Sequence, residues 1–340
     1  MTLSKLSVLV LTACAAALPG PLPGPQRNGG NRQTLRQQFI NANPPGISQA
    51  TDGSMILETD TQINGLPIRY KISAPAAMFT TASNVVGATQ SPNTAGSMGI
   101  NVLMHGDGGG PYDAFPNQAV QKNLMGVAVL SPDPNLKWGG TGNDQAGLAR
   151  PQGVPHSQAV ADLVQNVLPQ MVAFNQSQVF FTGVSGGSLT ISGFLIPGQM
   201  SKFQGTGVEL NCGGMPPQVP FVDMANVLAS TPIHFQSTQN ELSSLQPAIP
   251  AAIANYSALA QQAGLSTDQI NALQTANNAP VGGHCAFDGQ SFYSGNALVI
   301  KAYSNIIQPG GNGIVPGIGN VKQGVVGNTL TFGTPNNTVV

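Results

Sequence analysis

The sequence predicts an α/β fold, with a mostly parallel central sheet that helices cover on both faces. Apolar runs rich in Val, Ile and Phe alternate along the 340-residue chain with segments of helical periodicity, the order that a parallel sheet requires. One of these runs, Val179–Phe181, enters a glycine-flanked turn around Ser185 and continues into a helix-compatible segment. The length is sufficient for one large domain, and we expect a single one.

The first half of this domain supplies four predicted strands. Two runs of alternating apolar and polar residues, Ser54–Gln62 and Leu66–Ser73, flank Asn64-Gly65, a dipeptide typical of two-residue hairpin turns. Two further apolar runs follow at Gly99–Met104 and Gly126–Leu130. These segments predict a hairpin that leads into the first strands of the parallel sheet.

A helix is predicted from about Ser157, because apolar residues recur there at i, i+3, i+4 and i+7. Pro169 lies within this pattern and predicts a kink or an early end. The elements predicted beyond Ser185 are strands at Gly207–Leu210 and Pro232–Phe235, two helices within Leu245–Asn277, the second opened by a capping box of Ser266 and Gln269, and a helix over Ser291–Ile307.

The N-terminal residues have the pattern of a secretory signal. Lys5 precedes the apolar run Leu6–Ala17, which ends in an A-x-A cleavage pattern. We therefore interpret residues 1–17 as a signal peptide and expect a secreted protein. The tetrapeptide Leu11-Thr12-Ala13-Cys14 also resembles a bacterial lipobox, so a lipoprotein anchored at Cys14 is the alternative.

Composition divides the rest of the chain into three segments. Residues 18–50 are predicted to be a flexible leader, since LPGPLPGP at Leu18–Pro25 has neither helix nor strand pattern. The globular domain is predicted at residues 51–307, with residues 245–277 as a helical insert. Residues 308–340 form a tail rich in Gly and Asn.

Charge and hydropathy argue against several classes of function. The net charge is −1 and only 7% of residues are charged, which gives no electrostatic basis for binding nucleic acid or acidic membranes. No apolar run reaches the length of a membrane span. The composition is typical of a secreted protein with a neutral polar surface.

The cysteines predict one disulfide. Cys14 belongs to the signal segment, so Cys212 and Cys285 remain as an even pair. Secreted proteins mature in an oxidising compartment, and we therefore expect these two to be bonded. Two cysteines do not make a structural zinc site, and we expect no metal and no organic cofactor.

Ser185 is the strongest candidate for a catalytic group. Gly183-Val184-Ser185-Gly186-Gly187 matches G-x-S-x-G, in the strand–turn–helix context that a nucleophile elbow requires. Small neighbours permit the strained backbone that lifts the serine hydroxyl above the sheet edge. The N–H of Gly186 then lies at a helix N-terminus, where it can help to hold an oxyanion.

The order of these features resembles the α/β-hydrolase fold over Ser54–Ile307. The resemblance consists of a hairpin, a strand that ends in His105-Gly106-Asp107-Gly108, the elbow serine, and a late acid and histidine. Within that fold the sequence is most similar to secreted serine esterases, including feruloyl esterases and polyhydroxyalkanoate depolymerases. The resemblance implies a triad in chain order Ser, acid, His, and a small-molecule or polymeric ester as substrate.

The resemblance implies His284 as the general base. Of the four histidines only His234 and His284 follow Ser185, and His234 lies within a predicted buried strand. His284 follows two glycines in a loop before the last helix, where the family has its base. A bridge between Cys212 and Cys285 would hold this loop over the carboxyl edge of the sheet.

Four carboxylates lie between the serine and His284. Glu209 falls within a strand, and Asp268 falls in the first turn of a helix, where it favours the helix dipole. Glu241 follows the strand Pro232–Phe235 in the loop where the family has its acid, although Asn240 occupies the position where Asp is commonest. Asp223, a predicted helix N-cap, remains the alternative acid.

The resemblance assigns the oxyanion hole to the backbone N–H groups of Gly186 and Asp107. Glycines on both sides of Asp107 let the backbone approach the substrate closely. A carboxylate beside a developing oxyanion would oppose it, so we expect the Asp107 side chain to point away. A phosphate cradle is the competing interpretation of this loop, but no G-K-[ST] motif follows it.

These residues predict a secreted serine hydrolase that cleaves carboxylic esters through an acyl-enzyme intermediate. The alternative is a catalytically inactive binding protein on the same fold, which the uncertain acid and the carboxylate of Asp107 favour. GVSGGS is also similar to the GDSGGP of chymotrypsin-like proteases, but Val184 replaces the aspartate. Trp138, the only tryptophan, is either a stacking platform for an aromatic ester or a buried anchor.

Overall fold

The structure is a computed structural model, and it describes residues 33–115, 122–203 and 205–337. The predicted signal peptide at residues 1–17, the lipid anchor at Cys14 and the beginning of the leader lie outside the described residues. Among the helices of the described ranges, none combines the length and the apolar character needed to cross a bilayer.

A ten-stranded sheet forms the centre of the domain. The strands are β1 (Gly46–Gln49), β2 (Met55–Ile63), β3 (Leu66–Ala74), β4 (Gly99–Met104), β5 (Leu124–Leu130), β6 (Val179–Val184), β7 (Val208–Asn211), β8 (Ile233–Gln236), β9 (Gln274–Asn277), β10 (Ile314–Val315), β11 (Gly319–Asn320) and β12 (Gln323–Gly324). The sheet order is β1-β2-β3-β5-β4-β6-β7-β8-β9-β12, while β10 and β11 pair separately. The six strands from β5 to β9 in this order run parallel, and the outer strands join antiparallel.

The predicted hairpin is confirmed. Strands β2 and β3 pair along their whole length up to Ile63 opposite Leu66, which leaves Asn64 and Gly65 as a two-residue turn. Both turn residues have positive φ, 52° for Asn64 and 78° for Gly65. A two-residue turn of this kind matches the right-handed twist of the strands, which explains why the dipeptide marks it in the sequence.

Helices cover the sheet on both faces. They are α1 (Leu35–Ala42), α2 (Gly153–Asp162), α3 (Leu168–Met171), α4 (Gly186–Thr190), α5 (Ile196–Gln199), α6 (Met224–Ser230), α7 (Leu245–Gln262), α8 (Thr267–Leu273), α9 (Phe292–Lys301) and α10 (Tyr303–Ile306). The buried apolar residues divide into one cluster on each face. Adjacent residues of β6 illustrate the division, since Phe181 packs in one cluster and Phe180 in the other.

Two of the prolines that lie within helical segments are preceded by a π-helical turn. A π-helical turn, Leu163–Val167, joins α2 to α3 ahead of Pro169, and a second, Ile191–Leu195, joins α4 to α5 ahead of Pro197. A proline cannot donate to the carbonyl four residues before it, and its ring clashes with that group. The wider π turn accommodates this, so the chain stays helical through Pro169 to Met171 and the early end predicted at this proline is wrong. The other predicted outcome, a kink, stays a prediction.

Three segment boundaries differ from the prediction. The end of the supposed leader contains α1 and β1, and β1 pairs with β2 at the sheet edge. Residues 274–277 of the supposed helical insert form β9, a parallel member of the central sheet. The tail contributes β12, which pairs with β9. Each of these strands is short and polar and is ordered by pairing with a neighbouring strand. Its own sequence therefore contains no pattern that predicts a strand.

The architecture confirms the predicted fold class. A mostly parallel sheet, its antiparallel hairpin on one side and its helices on both faces together form an α/β-hydrolase fold. The carboxyl ends of β4, β6, β7 and β8 lie along one edge of this sheet, because neighbouring parallel strands end together. The candidate residues on the loops that follow these strands are therefore brought to one place.

Candidate active site

Ser185 occupies the sharp turn between β6 and α4. Its backbone has φ 50° and ψ −113°, a conformation that L residues rarely adopt, and its N–H donates to the carbonyl of Asn211 at 2.8 Å. The flanking glycines are required by space: a Cβ at Gly183 would lie 2.6 Å from the backbone N of Ser188, and one at Gly187 would lie 2.0 Å from the carbonyl O of Met104. The turn is therefore an elbow that only this glycine pattern allows.

His284 lies beside the serine hydroxyl. Its Nε2 is 2.8 Å from Oγ of Ser185, and its Nδ1 is hydrogen-bonded to Oε1 of Glu241. An ionised carboxylate can only accept a hydrogen bond, so Nδ1 carries the proton and Nε2 is free to accept the serine hydroxyl. The ring is buried and packs against Phe292, with 5.9 Å between ring centroids. The pair has the orientation that proton transfer from serine to histidine requires.

Glu241 is fully buried in the loop after β8. Besides His284, its Oε1 accepts the backbone N–H of Leu242 at 2.8 Å. We call residues 237–244, between β8 and α7, the acid loop, and residues 278–291, between β9 and α9, the histidine loop. Thr238 of the acid loop donates its hydroxyl to the carbonyl of Gly283 at 3.1 Å and so connects the two loops. The structure thus brings Ser185, His284 and Glu241 into one chain of hydrogen bonds.

The other carboxylates lie elsewhere. Asp223 precedes α6 on the surface with φ 60°, and its carboxylate accepts both of its hydrogen bonds from Asn226, each at 2.9 Å. It occupies the N-cap position without capping the helix through its side chain. Asp268 lies in the first turn of α8, behind the predicted capping box of Ser266, and Glu209 is buried within β7, both as predicted.

The predicted disulfide is present between Cys212 and Cys285, with 5.1 Å between the Cα atoms. Cys212 follows β7, and Cys285 follows His284 directly in the chain. The bridge therefore anchors the histidine loop to the sheet edge beside the elbow. His284 lies close enough to both sulfurs to suggest a metal site, but the sulfurs are bonded to each other and offer no thiolate.

The C-terminal residues 331–337, which we call the strap, lie along the acid loop. The N–H of Gly333 donates to the carbonyl of Gln239 at 2.8 Å, and the N–H of Asn336 donates to the carbonyl of Asn240 at 3.1 Å. The N–H of Ser243 donates in return to the side chain of Asn337 at 3.0 Å. The strap therefore pairs with the chain on both sides of Glu241, a role that its sequence did not suggest.

The loop after β4 places a second backbone donor near the elbow. It turns back on itself, with the N–H of Gly106 donating to Gly110 at 2.7 Å, and Gly108 and Gly109 have φ of 89° and 106°. Among the described residues, the N–H groups of Asp107 and Gly186 donate to no protein acceptor. Two unpartnered donors that flank a serine hydroxyl are what an oxyanion hole requires.

His105 fixes the conformation of this loop from beneath. Its Nε2 accepts the N–H of Ser131 at 2.9 Å, so the proton lies on Nδ1, which is 2.6 Å from the carbonyl of Gly106. Complete burial lowers the pKa of His105 to about 4, which keeps the ring neutral.

Trp138 packs between His105 and His156, with centroid distances of 5.6 and 6.1 Å. The indole is fully buried, so Trp138 is an anchor and its interpretation as a stacking platform is wrong.

The side chain of Asp107 does not point away from the elbow as expected. Its carboxylate lies against Gly186, where an added Cβ would be 1.9 Å from Oδ1. The guanidinium of Arg150 meets the other oxygen, with 3.0 Å between Nη2 and Oδ2. Arg150 was not singled out from the sequence, because it lies 43 residues from its partner in a Gly-rich loop without a motif.

A cavity of about 280 Å³ opens between these groups. Phe292 and Tyr293 form one wall, and their rings meet edge to face at 5.5 Å between centroids. Their contribution could have been read from the sequence, since two adjacent aromatic residues open the helix after the histidine loop. The residues that line the cavity are Gly106, Asp107, Gly108, Gly110, Ser185, Leu242, His284, Phe292 and Tyr293.

No protein-family model matches this sequence, and no curated protein matches it. Among solved structures, the chain is similar to LpqC, a poly(3-hydroxybutyrate) depolymerase from Bordetella parapertussis, with 18% identity, a TM-score of 0.45, and coverage of 79% of this chain and 93% of that one. It is also similar to a cold-adapted esterase from an Arctic intertidal metagenomic library, with 10% identity, a TM-score of 0.42, and coverage of 75% and 96%. A feruloyl esterase module from Clostridium thermocellum has 13% identity, a TM-score of 0.37, and coverage of 63% and 75%. At such low identity and TM-score these similarities do not bear on the chemistry of this chain.

Proposed function

We propose that this chain is a secreted serine hydrolase that cleaves carboxylic esters through an acyl-enzyme intermediate. The observation that carries the proposal is the chain of hydrogen bonds from the hydroxyl of Ser185 through His284 to Glu241. A serine hydroxyl is a weak nucleophile until a base removes its proton, and a histidine held by a carboxylate is the commonest such base. The elbow and the two unpartnered N–H groups add the remaining parts of an acyl-transfer site.

The reaction follows from the positions of these groups. Nε2 of His284 accepts the hydroxyl proton as Oγ of Ser185 bonds to the ester carbonyl carbon, and the carbonyl oxygen becomes an oxyanion. The N–H groups of Asp107 and Gly186 hold that oxyanion. The histidine then gives its proton to the leaving alcohol as the C–O bond breaks. A water repeats these steps on the acyl-serine, releasing the acid and restoring the hydroxyl.

Glu241 serves as the third member of this triad. Its buried carboxylate holds Nδ1–H of His284, which fixes the ring orientation, and it stabilises the imidazolium that forms during each proton transfer. Asp223 is not proposed for this role, because its carboxylate is exposed on the surface and bonded to Asn226.

Secretion is part of the proposal. The bond between Cys212 and Cys285 supports an oxidising compartment, where such bonds persist. The N-terminal sequence has a cleavage pattern after the apolar run and a lipobox at Cys14. Mass spectrometry of the mature N-terminus distinguishes the two, since cleavage after residue 17 removes Cys14, whereas lipidation leaves an acylated Cys14 as the first residue.

Two features favoured an inactive binding protein, and the structure offers an account of both. The acid was uncertain in the sequence, whereas Glu241 lies against His284. The carboxylate of Asp107 stood beside the proposed oxyanion, whereas it is paired with Arg150. We therefore propose the active enzyme alone.

Hydrolysis of p-nitrophenyl acetate and butyrate tests the proposal. Ser185→Ala is expected to lower kcat by roughly 10⁴- to 10⁶-fold, because the nucleophile is lost. Glu241→Gln is expected to lower kcat by about 10²- to 10⁴-fold, and the matched control Asp223→Asn is expected to leave it unchanged. Activity that survives in Ser185→Ala would overturn the assignment, and equal losses in Glu241→Gln and Asp223→Asn would overturn the choice of acid.

A further inference from the structure

The ion pair between Asp107 and Arg150 lies at the oxyanion site and has no part in the triad. Nη2 of Arg150 is 3.0 Å from Oδ2 of Asp107, and the arginine side chain is 1% exposed against 38% for the aspartate. A charged group buried this deeply is costly unless it is paired and hydrogen-bonded. Arg150 therefore requires the carboxylate of Asp107 as its partner in the folded protein.

Arg150 is held in place from two sides. Its Nη1 donates to the carbonyl of Gly147 at 3.1 Å. Its methylene chain packs on Gly139, which has φ 76° and where an added Cβ would lie 2.6 Å from Cβ of Arg150. These contacts fix the position of the Arg150 guanidinium. It therefore has little freedom to follow Asp107 if the loop after β4 moves.

The carboxylate of Asp107 connects the two proposed oxyanion donors. Asp107 supplies one N–H itself, and its Oδ1 lies against Gly186, which supplies the other. A Cβ at Gly186 would also lie 3.2 Å from Nη2 of Arg150, so the ion pair as a whole packs on the residue after the nucleophile. A shift of the carboxylate would therefore displace the donor of Asp107 relative to the donor of Gly186.

The same carboxylate carries a charge of the wrong sign for its position. Negative charge develops on the substrate oxygen during the reaction, and an unpaired carboxylate nearby would raise the energy of that state. The guanidinium of Arg150 compensates this charge by direct contact. Among residues 33–115, 122–203 and 205–337, the charged groups that face Asp107 are Arg150, Lys137 and Asp133, and of these only Arg150 touches it.

We propose that Arg150 is a positioning residue for the oxyanion hole, which it maintains by holding and neutralising the Asp107 carboxylate against Gly186. The role rests on the proposed esterase function, since it concerns the transition state of that reaction. It predicts that the effects of Arg150 and Asp107 depend on each other. With the arginine present, the Asp107 carboxylate helps to position the two N–H donors; without it, the unpaired negative charge opposes the oxyanion.

This dependence has a signature in pH. Partial burial raises the pKa of Asp107, and Arg150 and Lys137 oppose that rise. In Arg150→Gln the carboxyl therefore ionises at higher pH than in the wild type, and its charge then opposes the oxyanion. The ratio of kcat in Arg150→Gln to kcat in the wild type should fall as pH rises through this ionisation. Taking the ratio removes every pH dependence of kcat that the two proteins share.

The test compares four variants with the wild type on p-nitrophenyl butyrate between pH 5 and pH 9. Arg150→Gln is expected to lower kcat by about 10- to 100-fold at the alkaline end, less than the roughly 10²- to 10³-fold that follows loss of a whole donor. The double variant Asp107→Asn with Arg150→Gln should recover part of this loss and show a ratio independent of pH. Arg150→Lys keeps a cation on a less rigid side chain. The ratio of its kcat to that of the wild type should therefore not change with pH, while its kcat stays below the wild-type value. Lys137→Gln, the matched control for a nearby cation that makes no contact, should stay close to the wild type.

The outcomes separate the two proposals. An active wild type whose kcat is unaffected by Arg150→Gln overturns the role of Arg150 alone. A loss in Arg150→Gln that is independent of pH and is not relieved by Asp107→Asn shows only a structural arginine and also overturns it. If Arg150→Gln does not fold, as its melting temperature will show, Arg150→Lys and the double variant decide on the same criteria. A wild type that hydrolyses no ester overturns the proposed function, and the role of Arg150 with it.

Discussion

The backbone N–H of Ser185 donates to the carbonyl of Asn211, and the side chain of Asn211 donates to Oε1 of Glu209, each at 2.8 Å. Asn211, at the end of β7, thus connects the backbone of Ser185 with a fully buried carboxyl group. Burial raises the pKa of Glu209 to about 8, so the group is neutral in the folded protein at pH 7. A neutral carboxyl that is bonded to Asn211 makes the stability of the folded protein depend on pH.

Glu209→Gln should remove that dependence. Below the ordinary pKa of 4.5 both the folded and the unfolded chain hold the proton, and the contribution of Glu209 to stability is fully present. Between that value and about 8 only the unfolded chain releases it, so the free energy of unfolding falls as pH rises. Glutamine can still accept from Asn211 and never ionises. Melting temperatures at pH 5, 7 and 9 should fall less in Glu209→Gln than in the wild type or the exposed control Asp223→Asn; parallel curves would contradict the assignment.

Loss of the disulfide should destabilise the domain and disturb the base. The bond closes a loop with a sequence separation of 73, for which a cost of about 2–4 kcal/mol in the free energy of unfolding is typical. Replacing both Cys212 and Cys285 by serine should also lower kcat, because Cys285 is adjacent to His284. Denaturant unfolding with and without a reducing agent provides the measurement. The reductant should shift the wild type and leave the double variant unchanged, and a shift in the variant would point to another cause.

Gly187 of the elbow and Gly214 of the loop after β7 should differ in their tolerance of a methyl group. A Cβ at Gly187 would lie 2.0 Å from the carbonyl O of Met104, and backbone cannot move aside as a flexible side chain can. We expect Gly187→Ala to cost at least about 1–3 kcal/mol of stability and to displace the serine. Gly214, where an added Cβ would be 3.4 Å from the ring of Phe235, is the matched control, since that distance is an ordinary contact. Similar melting temperatures and kcat in both variants would show that the turn is less crowded than described.

Removal of the strap should affect activity more than folding. A chain that ends at Leu330 loses the bonds from Gly333 and Asn336 to the acid loop. Glu241 would then be held less firmly, and kcat should fall by about 10- to 100-fold, since a misplacement of about 1 Å in a catalytic group can cost about 10²-fold. A chain that ends at Asn337 keeps every one of these bonds and is the control. Equal kcat in the two truncated chains would show that the acid loop holds its position unaided.

The sequence predicts the parts of this protein that are encoded locally. The turn at Asn64-Gly65 needs two residues of positive φ, and the elbow needs small residues around Ser185, so both leave a signature in adjacent positions. The preference for Glu241 over Asp223 came from the resemblance to the α/β-hydrolase fold, which has its acid in the loop after this strand. By contrast, β9 is the polar segment QTAN, ordered only because β8 lies beside it.

Contacts between residues that are distant in the chain could not be predicted from the sequence, for a related reason. Nothing around Arg150 marks it as the partner of Asp107, because the contact depends on where a Gly-rich loop returns after crossing the sheet edge. The strap is a similar case, since its bonds to the acid loop are made largely by backbone groups that every residue possesses. Such features carry no residue preference that could be read in advance.

The position of the strap has a consequence for the order of events during synthesis. Ser185, Glu241 and His284 all precede residues 331–337 in the chain, so a growing chain can fold its sheet while the acid loop still lacks its outer partner. On the proposed mechanism, Glu241 gains its outer support only once residues 331–337 have joined the acid loop. A chain cut before residue 331 would keep its core and, on that mechanism, lose much of its activity, so that the rate of hydrolysis would report whether residues 331–337 are present.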